Sequence, residues 1–210
     1  MHSAVEALLS QGGTRPRADA QRNVELLVAA ARQALDERGL AITTRDIAQR
    51  AGVGLGTLYR RVPSMDALLA AILVDTIDEM TDRARRALDD ADPWRGFVEF
   101  AEAYVRLRAS SCGLHDVLSG AGSHLDLEPR ISRLQREVYE LIRRVQQAGV
   151  IRDDLDWRDI PFVLATAVSA DHTIGLDAKA DQWRRNLRII LDGLRLAVEP
   201  VPDHKEGQMQ

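Results

Sequence analysis

The chain has 210 residues, of which 45% are hydrophobic and 4% aromatic, and its formal net charge is -4. A chain of this length can bury a large core, and its richness in alanine, leucine and arginine favours helices over sheets. The longest apolar runs, at 67–74 and 161–170, are much shorter than the roughly 20 residues of a membrane span. No Lys or Arg precedes the first apolar stretch, as one would in a signal peptide, and a single cysteine, Cys112, permits no internal disulfide. These features predict a cytoplasmic protein with no membrane partner.

The charge is unevenly distributed along the chain. Residues 14–65 hold nine arginines and five acidic residues, a net charge of +4 that leaves -8 for the remainder. A basic segment on an acidic body favours binding of phosphates at one end of the molecule. A solvated charge imbalance without function is the alternative interpretation.

The N-terminal residues 1–18 contain Gly12, Gly13 and Pro16 and are predicted to be a flexible arm. Its two arginines, Arg15 and Arg17, can reach a minor groove, although an ordinary frayed tail fits the composition as well. A first helix is predicted from Asp19 to a stop at Gly39, because apolar residues recur through it at helical spacing.

The segment at 42–64 carries the signals of two short helices joined by a tight turn. Thr43 can cap a helix whose third residue is the acidic Asp46, and Gly52 can end that helix in left-handed geometry. A second helix then extends to residue 61 or 62, since Pro63 disfavours helical geometry at the residue before it. Ser64 can cap a third helix. The order helix, glycine turn, short helix is the helix-turn-helix pattern.

This segment resembles the DNA-binding module of the TetR family of transcriptional repressors. The resemblance rests on Thr-Thr-Arg-Asp-Ile-Ala at 43 to 48, Ala-Gly-Val at 51 to 53 and Gly-Thr-Leu-Tyr-Arg at 56 to 60. The chain departs from residues common in the family at Gly54, Leu55, Val62 and Met65. The resemblance implies that the second helix of the module enters the major groove of DNA. It places these residues at or near DNA: Thr43, Thr44, Arg45, Leu55, Gly56, Thr57, Tyr59, Arg60, Arg61 and Ser64.

The remaining elements are also predicted to be helical. A long connecting helix runs from Ser64 to about Leu88, and Asp92-Pro93 begins the next with a cap and a proline at the first position. A short helix at 113–120 precedes a long one at 128–148. The last two helices are expected from Asp156 through the apolar run at 161–170, and over 180–198.

The helix after Pro93 has an aromatic inner face, and most such stripes are simply core. In TetR-like proteins, however, the helices of this half usually surround a small-molecule cavity. The resemblance therefore implies an effector-binding set consisting of Phe97, Phe100, Tyr104, Leu107, Leu118, Leu134, Val138, Tyr139, Phe162 and Thr166.

The last two helices provide a candidate surface for a homodimer. The run at 161–170 has almost no polar face and needs cover on two sides, and the final helix carries a long apolar stripe. The predicted interface residues are Ala167, Ala170, Trp183, Leu187, Ile190, Leu191 and Leu194.

These observations predict an all-α protein with an arm at 1–18, a helix-turn-helix domain at 19–65, a helical ligand-binding and dimerisation domain at 66–199, and a disordered tail at 200–210. The predicted function is a repressor that binds a palindromic operator as a dimer and is released by a small, largely apolar or aromatic molecule. A helical enzyme or carrier in which the helix-turn-helix is only scaffold is the alternative. Cys112 and His115 do not complete a four-ligand zinc site, and no catalytic arrangement can be argued, so no metal, cofactor or enzymatic activity is expected.

Overall fold

The computed structural model of the chain describes residues 2–10, 18–118, 120–168 and 172–196. Within these ranges the fold is all-α, as predicted. Its helices are α1 (His2–Ser10), α2 (Ala18–Arg38), α3 (Thr44–Ala51), α4 (Leu55–Arg61), α5 (Met65–Asp89), α6 (Pro93–Ser110), α7 (Cys112–Leu118), α8 (Glu128–Gln147), α9 (Asp159–Ala165) and α10 (Gln182–Leu194). Two-residue strands, β1 (His172–Thr173) and β2 (Leu176–Asp177), form an antiparallel hairpin between α9 and α10. None of the helices described is both long and apolar enough to cross a membrane.

The helix-turn-helix formed by α3 and α4 follows the local signals of its sequence. Thr43 and Asp46 form a reciprocal capping box, in which each side chain accepts from the backbone N–H of the other residue. Gly52 ends α3 with a φ of 67°, in the left-handed region that glycine adopts without strain. Ile47 and Leu58 are buried, so the two short helices owe their stability to packing against α2.

Helix α5 connects the helix-turn-helix to the rest of the molecule, and its second half is held by α8. Ser64 caps its start by accepting from the N–H of Ala67. Two ion pairs join α5 to α8, Asp78 with Arg130 at 2.6 Å and Arg85 with Glu137 at 2.8 Å.

The end of α5 is anchored by Arg144 of α8. Its guanidinium donates to the backbone carbonyls of Ala87, Leu88 and Asp90 at distances between 2.5 and 3.1 Å. Carbonyls at a helix C-terminus have no partner within the helix, and this arginine supplies one. The C-terminal end of α5 is therefore fixed to α8.

Residues 2–10 correct the predicted flexible arm, because they form α1 and pack against α2 and α5. Ala4 and Leu8 are buried, and Asp75 of α5 accepts both from the backbone N–H of Ala4 and from Arg32 of α2. A nine-residue helix is marginal in isolation and depends on such contacts, which the sequence does not reveal. Arg15 and Arg17 lie outside the described residues, as does the tail at 200–210.

The last two helices are shorter than predicted. Helix α9 begins at Asp159 and ends at Ala165. After its last residue the hydroxyl of Thr166 donates to the carbonyl of Val163, and the backbone N–H groups of residues 166–168 donate to carbonyls three residues earlier. Helix α10 covers Gln182–Leu194 rather than 180–198. The run at 161–170 is therefore only partly helical in the part that the structure describes.

Candidate DNA-binding and effector sites

Helix α4 presents one face to solvent and one to the core. Leu58 and Val62 are each 2% exposed, whereas Tyr59 is 64% exposed. Leu55, Gly56, Arg60 and Arg61 are exposed as well, and Thr57 is half-buried beside Arg60, whose guanidinium donates to its hydroxyl. The exposed side of α4 is thus made of an aromatic hydroxyl, two guanidinium groups, a leucine and a glycine. This composition suits contact with phosphates and base edges.

The N-terminus of α3 lies beside this face of α4. The hydroxyls of Thr44 and Tyr59 are 3.3 Å apart, which brings the start of one helix to the middle of the other. Thr43 and Arg45 are exposed at the same end, and Ser64 is exposed at the start of α5. The structure therefore displays nearly all the predicted DNA-binding residues, with Thr44 and Thr57 only partly exposed.

Three arginines of the module are paired internally. Arg32 pairs with Asp75, Arg38 with Asp46, and Arg50 binds Glu37 through both of its terminal nitrogens. Hydrogen bonds from Thr43 and from Arg38 lower the pKa of Asp46 to about 2, and the bond from Arg50 lowers the pKa of Glu37.

Arg45, Arg60 and Arg61 make no ion pair with any residue that the structure describes. Their charge remains available to an external partner. Three of the module's available positive charges therefore lie at the exposed α3–α4 surface, and Arg22 of α2 is likewise exposed without an ion pair among the described residues.

Besides the connecting helix α5, a contact between α7 and the end of α2 joins the C-terminal half to the DNA-binding module, and this contact was not predicted from the sequence. Asp116 of α7 accepts from the backbone N–H of Leu40 at 2.8 Å, at the turn (Gly39–Ala41) that follows α2. A Cβ on Gly39 would lie 2.1 Å from the Asp116 carboxylate, and one on Gly113 would lie 2.3 Å from Leu35. Helix α7 therefore rests directly on the end of α2. An acidic residue on a short helix carries no sequence signal for such a contact.

The predicted effector-binding residues are distributed among the core, its edge and the surface. Phe97, Phe100, Leu134 and Val138 are buried among core side chains, and Tyr104, Leu107, Leu118 and Tyr139 are half-buried. Burial raises the pKa of the Tyr104 hydroxyl. Phe162 is 77% exposed and Thr166 is also exposed, which corrects their assignment to a pocket wall. Helix α9 turns Phe162 outward and buries Ile160 and Leu164 instead, and Thr166 follows its last residue.

A cavity of about 220 Å³ lies elsewhere, between the end of α7 and the start of α8. Its walls include Val117, Gly122, Ser123, Leu127, Glu128 and Ile131. None of the ten predicted effector-binding residues lines it, although Leu118 is adjacent to Val117 in sequence.

The predicted dimer surface also needs correction. Ala167, Leu187, Leu191 and Leu194 are buried within the single chain and cannot face a partner, because the apolar stripe of α10 packs against α6 and α9. Trp183 and Ile190 are half-buried, and Ala170 lies outside the described residues. The large apolar residues exposed in the described part of this region are Phe162, Ile174, Leu176, Ile189 and Leu196.

Comparison with known proteins agrees with this architecture. Residues 27–72 match the family model of bacterial regulatory proteins of the tetR family, and residues 92–196 match the model of the C-terminal domain of SbtR-like transcriptional regulators. The transcriptional repressor KstR2 of Rhodococcus jostii is 30% identical over 190 residues, covering 82% of this chain and 91% of that protein.

Two solved structures have a similar fold. A TetR transcription regulatory protein from Mycobacterium vanbaalenii aligns with a TM-score of 0.56 at 33% identity, over 86% of this chain and 99% of that one. KstR2 of Mycobacterium tuberculosis aligns with a TM-score of 0.60 at 24% identity, over 84% and 96% of the two chains, and this likeness concerns the fold alone. From its helix-turn-helix, its helical C-terminal half and these relatives, the chain belongs to the TetR family of transcriptional regulators.

Proposed function

We propose that the protein is a repressor that binds a palindromic operator as a homodimer and leaves it when a small molecule binds the C-terminal half. The observation that carries the proposal is the exposed face of α4, where Tyr59, Arg60 and Arg61 point away from the core beside the capped start of α3. Repression is supported by the relative from Rhodococcus jostii, which is a transcriptional repressor. We expect the protein to act in the cytoplasm, where its DNA target lies.

In this proposal α4 reads the major groove, while Thr43, Thr44, Arg45 and the hydroxyls of Tyr59 and Ser64 contact phosphates. Arg60 or Arg61 contacts a guanine edge, since a guanidinium can donate to both acceptors of that base. Leu55, Gly56 and Thr57 lie at the groove wall, where small or apolar residues allow close approach.

The test is operator affinity measured with an operator selected from random duplexes. Arg61→Ala weakens binding by about 1–3 kcal/mol if Arg61 reads a base, and the loss depends on the base at one position. Arg106→Ala removes the same charge from an exposed position on α6, away from the assigned dimer contact, and serves as the matched control. Unchanged affinity in both Arg60→Ala and Arg61→Ala would refute the assignment of the reading surface.

We assign the dimer contact to the exposed apolar side of α9 and α10, around Phe162 and Ile189. Both are more than two-thirds exposed in the single chain, at 77% and 71%. Gly193 lies one turn beyond Ile189, and a Cβ there would meet nothing, so a second helix can approach this side closely. A dimer also holds two copies of α4 apart at a fixed distance, as a palindrome with half-sites about 34 Å apart requires.

Light scattering tests this surface. The double variant Phe162→Asp with Ile189→Asp is expected to be a folded monomer, since both side chains are exposed. Leu26→Asp, at an exposed apolar position on α2, is the control and should leave the assembly unchanged. A normal dimer in the double variant would exclude this surface.

An enzyme or carrier remains the alternative function. It is disfavoured because the relatives are transcriptional regulators and because the exposed face of α4 is not needed for packing. Ligand binding or turnover by a protein with no affinity for any duplex would favour the alternative.

A further inference from the structure

The cavity between α7 and α8 has apolar walls and one ionisable group. Val117, Leu127 and Ile131 provide its apolar surface, and Glu128 and Ser123 stand at its exposed side. Its volume is about 220 Å³. A cavity of about 150 Å³ accepts benzene, so this one has room for a single ring with a short chain.

The charges around the cavity favour a cation. Glu128 is the charged residue in its wall, and Asp126 lies two residues before it. The nearest arginine along α8, Arg130, is engaged with Asp78 at 2.6 Å. The positive end of the α8 dipole is already balanced by Glu128 in its first turn, so an anion gains little there.

Both flanks of the cavity touch the DNA-binding half of the molecule. Val117 follows Asp116, whose carboxylate accepts from Leu40 at the end of α2. On the other flank His124 is 3.9 Å from Asp66, in the first turn of α5, and Leu125 is buried against that helix. A molecule that binds better when α7 moves away from the 122–127 segment must therefore strain one of these contacts.

We propose that this cavity binds a small amphipathic cation, a single aromatic ring bearing a short primary amine, and that its occupancy releases DNA through the Asp116–Leu40 contact. The ring lies on Val117, Leu127 and Ile131, and the ammonium donates to the Glu128 carboxylate. The inference rests on the proposed repressor function, to which it adds the place and the chemical class of the effector.

Binding is tested with full-length protein and 2-phenylethylamine as the probe, by calorimetry or ligand-observed NMR. A fragment of this size is expected to bind with a Kd of about 0.1–10 mM. Glu128→Gln should weaken binding about tenfold, the size of one charge-assisted hydrogen bond, and 3-phenylpropionate should bind far more weakly than the amine. Ser123→Phe, which adds a ring at the cavity, should abolish binding.

The matched control is Glu140→Gln, an exposed acid on the same helix but outside the cavity wall. It should bind the probe as the unchanged protein does. No binding of the amine, or equal binding by Glu128→Gln, would overturn the proposed site.

The route is tested by adding the amine to the protein–operator complex. Asp116→Ala, which leaves the cavity wall intact, should bind the probe normally but release DNA less readily. Release that is unchanged in this variant would overturn the route. A protein that binds the amine as predicted but has no affinity for selected duplexes would refute the repressor function while leaving the binding site standing, so the two failures are distinguishable.

Discussion

Arg144 is expected to be among the costliest side chains to remove from the surface of α8. It donates to three carbonyls at the end of α5, and Arg144→Met keeps most of the side-chain volume while removing every donor. A hydrogen bond from a charged donor contributes about 1.5–3 kcal/mol, so three of them set an upper limit of about 5–9 kcal/mol. These carbonyls are only part-buried and water can replace much of the lost interaction, so we expect a loss of about 2–4 kcal/mol.

The assay is thermal unfolding followed by circular dichroism at a fixed protein concentration, since assembly alters apparent stability. For a chain of this size the expected loss corresponds to a decrease in Tm of roughly 5–15 °C. Arg143→Met is the matched control, because Arg143 is exposed and contacts only the ring and hydroxyl of Tyr139 among the described residues. It should change the free energy of unfolding by less than about 0.5 kcal/mol. Equal effects of the two variants would refute the anchoring of α5 by Arg144.

Other substitutions test the local arguments. Gly54→Ser supplies the side-chain oxygen that the start of α4 lacks, and it should stabilise the chain by about 0.5–1 kcal/mol in thermal unfolding. An equal gain from Gly54→Ala would show that capping is not the cause. Gly113→Ala should destabilise the chain by about 1–3 kcal/mol, because its Cβ would overlap Leu35. Gly56→Ala has open space around its Cβ and should stabilise α4. Urea titrations in which both substitutions change the free energy of unfolding with the same sign would contradict the packing argument. The pKa of Asp46 is lowered from 3.8 to about 2, so its charged form stabilises the fold above about pH 4 and this contribution is lost as the pH falls through 2. The stability difference between the unchanged protein and Asp46→Asn should narrow over that interval, and a constant difference would contradict the assignment.

The helix-turn-helix was predictable because its determinants are local. The capping box of Thr43 and Asp46, the left-handed Gly52 and the pair Pro63-Ser64 act within a few residues, and each has the predicted geometry. The start of α6 at Asp92 followed from the same kind of signal, since its carboxylate accepts from the N–H groups of Trp94 and Arg95.

The parts that sequence reasoning missed depend on contacts between distant residues. Helix α1 is stable because of Asp75 and the groove between α2 and α5, which lie far along the chain. In α10, Leu187 and Ile189 are both apolar, and the pattern does not tell which of them faces the chain's own core and which faces outward. The aromatic stripe of α6 likewise indicates an inner face but not whether that face is filled by side chains, as it is around Phe97.

The pairing of arginines inside the DNA-binding module sets how strongly DNA binding should depend on salt. Arg32, Arg38 and Arg50 are neutralised by carboxylates of the same chain, whereas Arg45, Arg60 and Arg61 on the α3–α4 surface have no ion pair among the described residues and can displace the counterions condensed on a duplex. A dimer with three such arginines in each protomer would neutralise about six phosphates, so the logarithm of its binding constant should fall with the logarithm of salt concentration with a slope near -5. Between 50 and 200 mM salt this slope amounts to a loss of about a thousandfold, so modest changes in ionic strength should decide whether the operator is occupied.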